Sequence, residues 1–201
     1  MKALILAAGY GTRLYPLTES IPKPLIEVGN KPIINYIFEK LCKIKNLDEA
    51  LIVTNNKFYL KFKEWSEKLK GSFESIALTI INDGTNSPED RLGAIGDINL
   101  VIENGDLVNK DALVIGGDNL FDFELTEFIN LSREKSPDVT VGLYDIKDKN
   151  QAKKYGVLSV NKDNQIVSFE EKPKNPKSTL IATCLYYFPK QTFNLIVEYI
   201  Q

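Results

Sequence analysis

The sequence predicts an α/β fold, a mainly parallel sheet with helices on both faces followed by a strand-rich second half. Two observations carry the prediction. Short uncharged runs alternate with stretches of helical periodicity from the N-terminus to Ile115, a βαβαβαβ order that places a parallel sheet between two helix layers. From Val139 onward the apolar runs follow one another as strands with no long helix between them. At 201 residues, 43% hydrophobic and 26% charged, the chain has the composition of an ordinary globular domain with room for a real core.

Ala3 to Ala8 can be buried on both faces and reads as the first strand. Pro32 opens a helix whose core-facing residues are Ile33, Ile34, Ile37, Phe38 and Leu41. Ala50 to Thr54 is a second strand, and Phe58, Phe62, Trp65 and Leu69 mark a second helix. Ile76 to Ile81 is a third strand, Pro88 precedes a helix through Leu92, Ile95 and Val101, and Ala112 to Ile115 is a strongly apolar fourth strand. Asp122 is placed to cap a helix through Leu125 and Ile129. Val139 to Ile146, Gly156 to Val160, Ile166 to Phe169 and Leu180 to Phe188 follow as strands, and Phe193 begins a last helix. No linker separates the halves, so residues 1–135 and 136–201 are expected as two lobes of a single domain.

The chemistry concentrates after the first strand. Leu6, Ala8, Gly9, Gly11, Thr12 and Arg13 compose a strand feeding a glycine loop. Glycines at 9 and 11 let the backbone take left-handed angles and bring its N–H groups close to a ligand, as a polyphosphate cradle requires. Arg13 adds a forked cation suited to phosphate oxygens. The loop is not a Walker loop, because no Gly-Lys-Ser/Thr tripeptide occurs in the chain, and not a dinucleotide fingerprint, because Leu14 stands where the third glycine is needed.

Bulk charge narrows the partners. Lysine and arginine total 25 against 27 acidic residues, a net charge of -2, without the basic excess of a nucleic-acid binder. Histidine is absent, and Cys42 and Cys184 are far apart without a Cys-x-x-Cys motif, which argues against a zinc site or a disulfide framework and for a reducing, cytoplasmic location. No apolar run approaches the roughly 18 residues of a membrane span, and the N-terminal run passes straight into the glycine loop rather than a cleavage site.

Taken together, Leu-Ala-Ala-Gly-x-Gly-Thr-Arg-Leu-x-Pro-Leu-Thr from Leu6, Pro22-Lys23-Pro24-Leu25, Lys31-Pro32, Gly117-Asp118, Tyr155-Gly156-Val157 and Glu170-Glu171-Lys172-Pro173 resemble the signature of the sugar-phosphate nucleotidylyltransferases, in the right order over nearly the whole chain. The resemblance implies a Rossmann-like mixed, mainly parallel sheet with an inserted, sugar-binding β-rich lobe. It implies a reaction in which the phosphate of a sugar 1-phosphate attacks the α-phosphorus of a nucleoside triphosphate and pyrophosphate leaves. Such a nucleophile is already an anion, so a chain without histidine is adequate and catalysis is positioning plus charge neutralisation. Arg13 and Lys23 then grip the triphosphate and the incoming phosphate, Asp118 binds Mg²⁺ at the end of its strand, Gly93 approaches the base, and Gly156, Glu171, Lys172 and Thr183 contact the sugar phosphate. Asp122 is a helper at the metal or only the helix cap named above.

On family grounds dTTP or UTP with glucose 1-phosphate is favoured. A CTP-dependent enzyme acting on a sugar or alcohol phosphate, and a non-catalytic subunit that senses nucleotide sugars, are the alternatives. The family commonly forms dimers or tetramers, so self-association is a further expectation. Two departures stand out. Cys184 occupies a place where many relatives have glycine. The family's second metal-binding aspartate near its C-terminus does not appear before Gln201, so the chain is expected either to be truncated or to lack that residue.

Overall fold

The computed structural model describes residues 1–69, 73 and 76–201. It divides into two compact units, one comprising Met1–Thr140 with Tyr186–Gln201 and the other Val141–Leu185. The sequence reading ran the second half from 136 to 201. In the structure the terminal stretch belongs to the first unit, because Phe193 and Ile196, with Tyr186 and Phe188, join a core that also holds Leu4, Val53, Ile98, Val101 and Val114.

The first unit begins with β1 (Lys2–Leu6), three single 3₁₀ turns (Thr12–Leu14, Leu17–Glu19 and Lys23–Leu25), a small hairpin of β2 (Glu27–Val28) and β3 (Lys31–Pro32), and helix α1 (Ile33–Leu41). Then come β4 (Glu49–Thr54), α2 (Tyr59–Lys68), β5 (Ala77–Asn82), α3 (Gly93–Glu103), β6 (Ala112–Gly116) and α4 (Leu125–Glu134). The strands lie in the order β5-β4-β1-β6, all parallel, with Leu4 in register with Leu51 on one side and Val114 on the other. Those residues pack on Ile98 and Val101 of α3. The alternate residues Ala3, Ile5, Ala50, Ile52, Leu113 and Ile115 are fully buried too, so the sheet is covered on both faces, which is why its strands carry no polar alternation. The apolar stripes of α1 and α2 meet through Phe38 and Trp65, whose rings stand edge to face at 5.4 Å. The fold class the sequence predicts, mixed and mainly parallel, is the one observed.

Two local expectations change, and one small element is new. Helix α3 starts at Gly93, not after Pro88. The Asp90 carboxylate accepts the N–H groups of Asn86 (3.0 Å) and Ser87 (2.8 Å), and these bonds hold the segment as a turn. The cap of α4 is Glu124, not Asp122, and its side chain makes no capping bond. The β2–β3 hairpin, two residues per strand, is too short to show a period.

The second unit contains β7 (Thr140–Asp145), the short helix α5 (Lys149–Ala152), β8 (Gly156–Val160), β9 (Ile166–Glu171) and the first part of β10 (Leu180–Phe188). Strand β8 pairs antiparallel with β9 and with β10, and β7 pairs with β10. Asp148 caps α5, accepting the N–H groups of Asn150 and Gln151. The turn between β8 and β9 is closed by a 2.9 Å bond from the Asn161 N–H to the Gln165 carbonyl, with Asn164 left-handed at φ 60°, a conformation asparagine tolerates. Ala152, Val157 and Ile181, with Ile146, form its small core. The chain closes with a 3₁₀ turn at Lys190–Thr192 and α6 (Phe193–Ile200).

Candidate functional site

In the first unit the loops that follow β1, β4, β5 and β6 all leave the carboxyl end of the parallel sheet, where such sheets present ligands. Leu6 ends β1, and its carbonyl accepts the Gly117 N–H at 2.9 Å. The Ala8 carbonyl accepts from Nδ2 of Asn55 at 2.9 Å, and Oδ1 of the same side chain takes the Phe58 N–H at 3.0 Å. Asn55 is fully buried, so both bonds form away from water and fix the loop to the end of β4.

Gly11 has the left-handed φ of 64° expected of it, and a Cβ there would lie 3.0 Å from Thr18. The Thr18 hydroxyl, buried, donates to the Gly11 carbonyl at 2.7 Å. Gly9 serves differently from the expectation. It is not among the left-handed residues, and nothing lies within 4 Å of the place its Cβ would take, so it leaves open space above the backbone. Tyr10 between them turns inward and shares a 3.1 Å hydrogen bond with the Thr85 hydroxyl. Thr85 in turn donates its N–H and its hydroxyl to Asp83 Oδ1, both at 2.8 Å. Thr12 and Arg13 stand exposed on the first 3₁₀ turn. Among the described residues Arg13 makes no ion pair, so its fork of donors is open to an outside anion.

Lys23 and Asp118, 95 residues apart, meet: the Lys23 ammonium donates to Asp118 Oδ2, and each side chain is about 40% exposed (40% and 39%). Gly117 makes the meeting feasible. A Cβ on it would lie 3.1 Å from the Leu6 carbonyl and 3.1 Å from Pro24 Cγ, so the turn carrying Lys23 can approach the end of β6 only over a glycine.

Asp118 is the one residue of this arrangement suited to a divalent cation. Among the described residues no three histidine, cysteine or acidic side chains are grouped to hold a metal. A single half-exposed carboxylate fits a magnesium ion that draws its other ligands from phosphates and water, rather than one caged by protein. Gly93 opens α3 with φ 75° and open space above it.

Behind this surface lies a group that sequence reasoning missed. Asp97, in α3, is 5% exposed, and its Oδ1 has no partner. Burial, aided by the neighbouring Asp83 charge, pushes its pKa up to about 7. Asp83 Oδ2 is likewise buried without a partner. Asn55 and Asp83 sit directly after strands β4 and β5, and that position at a carboxyl end is the signal that could have found them.

In the second unit, Gly156 at the start of β8 pairs with Glu171 at the end of β9. Lys172 follows in a left-handed conformation, φ 45°. Its N–H donates to the Tyr155 carbonyl at 3.0 Å, and its ammonium lies 2.9 Å from Glu171 Oε1. Three of the four residues expected at the sugar phosphate are thus adjacent. Thr183, on β10, donates its hydroxyl to the Gly142 carbonyl at 2.8 Å. Cys184 beside it has φ 51°, which explains why glycine suits that place.

Comparisons with known proteins give the family. A family model described as nucleotidyl transferase matches residues 2–201, and the chain belongs to that family, as its motifs imply. It is 34% identical to the bifunctional protein GlmU of Methanococcus aeolicus over 98% of this chain and 42% of that protein. It is 29% identical to the UTP--glucose-1-phosphate uridylyltransferase AglF of Haloferax volcanii over 96% of this chain and 74% of that one. Among solved structures, the Bacillus anthracis protein described as a glucose-1-phosphate thymidylyltransferase, crystallised with sucrose, superposes with a TM-score of 0.83 at 27% identity, over 98% of this chain and 75% of that one. The chain spans less than half the length of the GlmU proteins it matches, 42% in each case. Among the described residues no helix is long and apolar enough to cross a membrane.

Proposed function

We propose that the protein transfers a nucleotidyl group from a nucleoside triphosphate to a sugar 1-phosphate, releasing pyrophosphate and forming a nucleoside diphosphate sugar. The observation that carries this reading is the Lys23–Asp118 pair beside the glycine loop, a cation and a carboxylate converging at the carboxyl end of the sheet. The loop N–H groups and Arg13 hold the triphosphate, and Lys23 neutralises the phosphate oxygens at which charge gathers in the transition state. Gly93 leaves room for the base. In the second unit Glu171 accepts hydrogen bonds from sugar hydroxyls, Lys172 faces the phosphate, and Gly156 and Thr183 contribute to the same subsite. Because the attacking phosphate is already ionised, no protein group removes a proton from it. Asp118 would hold Mg²⁺, which when bound supplies charge neutralisation between phosphates.

Glucose 1-phosphate with dTTP or UTP is the favoured pair. It is supported by the kind of protein to which the chain is similar, a uridylyltransferase and one described as a thymidylyltransferase, both named for glucose 1-phosphate.

The test is pyrophosphate release in the presence of Mg²⁺ and glucose 1-phosphate with each of dTTP, UTP, CTP, GTP and ATP. Turnover with one or two of these is expected, and Arg13→Ala should lower kcat/KM by about 10² to 10³. Silence across all five and across a panel of other sugar phosphates, with nucleotide binding intact, would replace the enzyme by a binding protein.

A further inference from the structure

Gly156 leaves a space that a neighbour occupies. The point at which its Cβ would stand lies 2.7 Å from Phe169 Cε2, 3.0 Å from Phe169 Cζ and 3.2 Å from Glu171 Oε2. Phe169 and Glu171 are two apart on β9, so their side chains project from the same face, and Gly156 is the direct partner of Glu171. An aromatic ring and a carboxylate therefore flank one glycine floor, with the Lys172 ammonium 2.9 Å from that carboxylate.

The small core of Ala152, Val157 and Ile181 lies off the opposite face, since Val157 sits between Gly156 and Leu158 on β8. On the ring's own face its direct partner Leu158 is buried, 4% exposed. Phe169 itself remains 56% exposed, so much of its side chain is open to a ligand.

A pyranose has the complementary shape. Its axial C–H bonds present a weakly positive face to the negative face of an aromatic ring, and its equatorial hydroxyls point sideways, where a carboxylate accepts two of them. We propose that Phe169 is the platform on which the sugar ring of the sugar phosphate stacks, Glu171 taking its hydroxyls, so that the site selects pyranosyl phosphates over acyclic ones. The proposal deepens, and rests on, the sugar-phosphate reading given above. The competing role for the ring is to shield a glycine between paired strands. The two roles separate cleanly: leucine covers the glycine but has no aromatic face, whereas tyrosine keeps the face.

The experiment compares the wild type with Phe169→Leu and Phe169→Tyr. Steady-state kinetics give KM for glucose 1-phosphate and for the triphosphate separately. Saturation-transfer NMR with glucose 1-phosphate alone, and choline phosphate as the acyclic control, reads ring contact without turnover. Phe169→Leu should raise KM for the sugar phosphate about tenfold, the upper range for an aromatic contact, leave KM for the triphosphate unchanged and at least halve transfer to the ring protons. Phe169→Tyr should behave as wild type.

A leucine variant with wild-type sugar KM and undiminished transfer overturns the platform while leaving the transferase reading intact. So does one in which both KM values rise together. If the wild type releases pyrophosphate from no triphosphate, the transferase reading fails by itself and the NMR decides the platform. Transfer to glucose 1-phosphate that falls in Phe169→Leu upholds it, and no transfer to the wild type overturns it.

Discussion

Asp97→Asn should stabilise the protein, and by an amount that depends on pH. The carboxyl is buried on α3, its Oδ1 has no partner, and its pKa is raised from 3.8 to about 7, first by burial and then by Asp83. Between those two values the folded protein holds a proton that the unfolded chain has released. Wild-type stability must therefore fall as pH rises through this window, by about 1.4 kcal/mol per pH unit at the steepest, and the loss is complete above the folded value. Integrated over the shift it amounts to about 4 kcal/mol.

Asparagine does not titrate, so it removes the buried charge that Asp83 opposes. The two proteins should be nearly equal in urea denaturation at pH 4, and the variant about 3–4 kcal/mol more stable at pH 8. An offset that stays constant from pH 4 to pH 8, or a variant less stable than wild type at pH 8, would refute the assignment of a raised, unpaired carboxyl at this position.

Three further outcomes follow from the same geometry. Asn55→Ala removes the side chain that bonds the Ala8 carbonyl and the Phe58 N–H, the latter keeping only its 3.2 Å bond to the residue-55 carbonyl, at a cost of about 1–3 kcal/mol in chemical denaturation, with faster proteolysis in the glycine loop. Gly117→Ala brings a methyl to 3.1 Å from both the Leu6 carbonyl and Pro24. It should cost about 1–3 kcal/mol in thermal unfolding and weaken triphosphate binding more than Lys23→Arg does. Cys184→Gly relieves a side chain held at φ 51° and should raise stability by about 0.5–1 kcal/mol, whereas Cys184→Val should lower it.

Much of this was legible in the chain because the informative residues are ones whose chemistry is local. The uncharged runs ending at Leu6, Thr54 and Gly116 are strands for a reason visible in one dimension, burial on both faces. Gly11 takes the positive φ that its lack of a side chain permits, whereas Gly9 does not. The Lys23–Asp118 contact is different in kind. The two motifs were readable separately, but their pairing across 95 residues depends on the parallel order that sets β1 beside β6.

Asn55, Asp83 and Asp97 escaped notice because polar residues after a strand, or at one position of a helix, look like ordinary surface until burial is known. Pro88 misplaced the start of α3 because proline is equally at home in the turn that Asp90 ties together. The return of residues 186–201 to the first unit was hidden because Phe188 and Phe193 are as apolar as the strand and helix that contain them, and apolarity alone does not say which core is joined.

The Lys23–Asp118 pair also sets the resting electrostatics at this end of the sheet. Each group masks the other, so where they meet the field offered to an arriving ion is close to neutral. An anion arriving alone must compete with the carboxylate for the ammonium, and a cation arriving alone must compete with the ammonium for the carboxylate. A phosphate and a divalent cation arriving together leave both groups satisfied, each with a new neighbour of opposite sign. If the pair binds both ligands as proposed, they would be coupled through one ion pair, and thermodynamic reciprocity would have each change the other's affinity by the same factor. Such a pair would discriminate against free phosphate and free metal alike, before any atom of nucleoside or sugar is read.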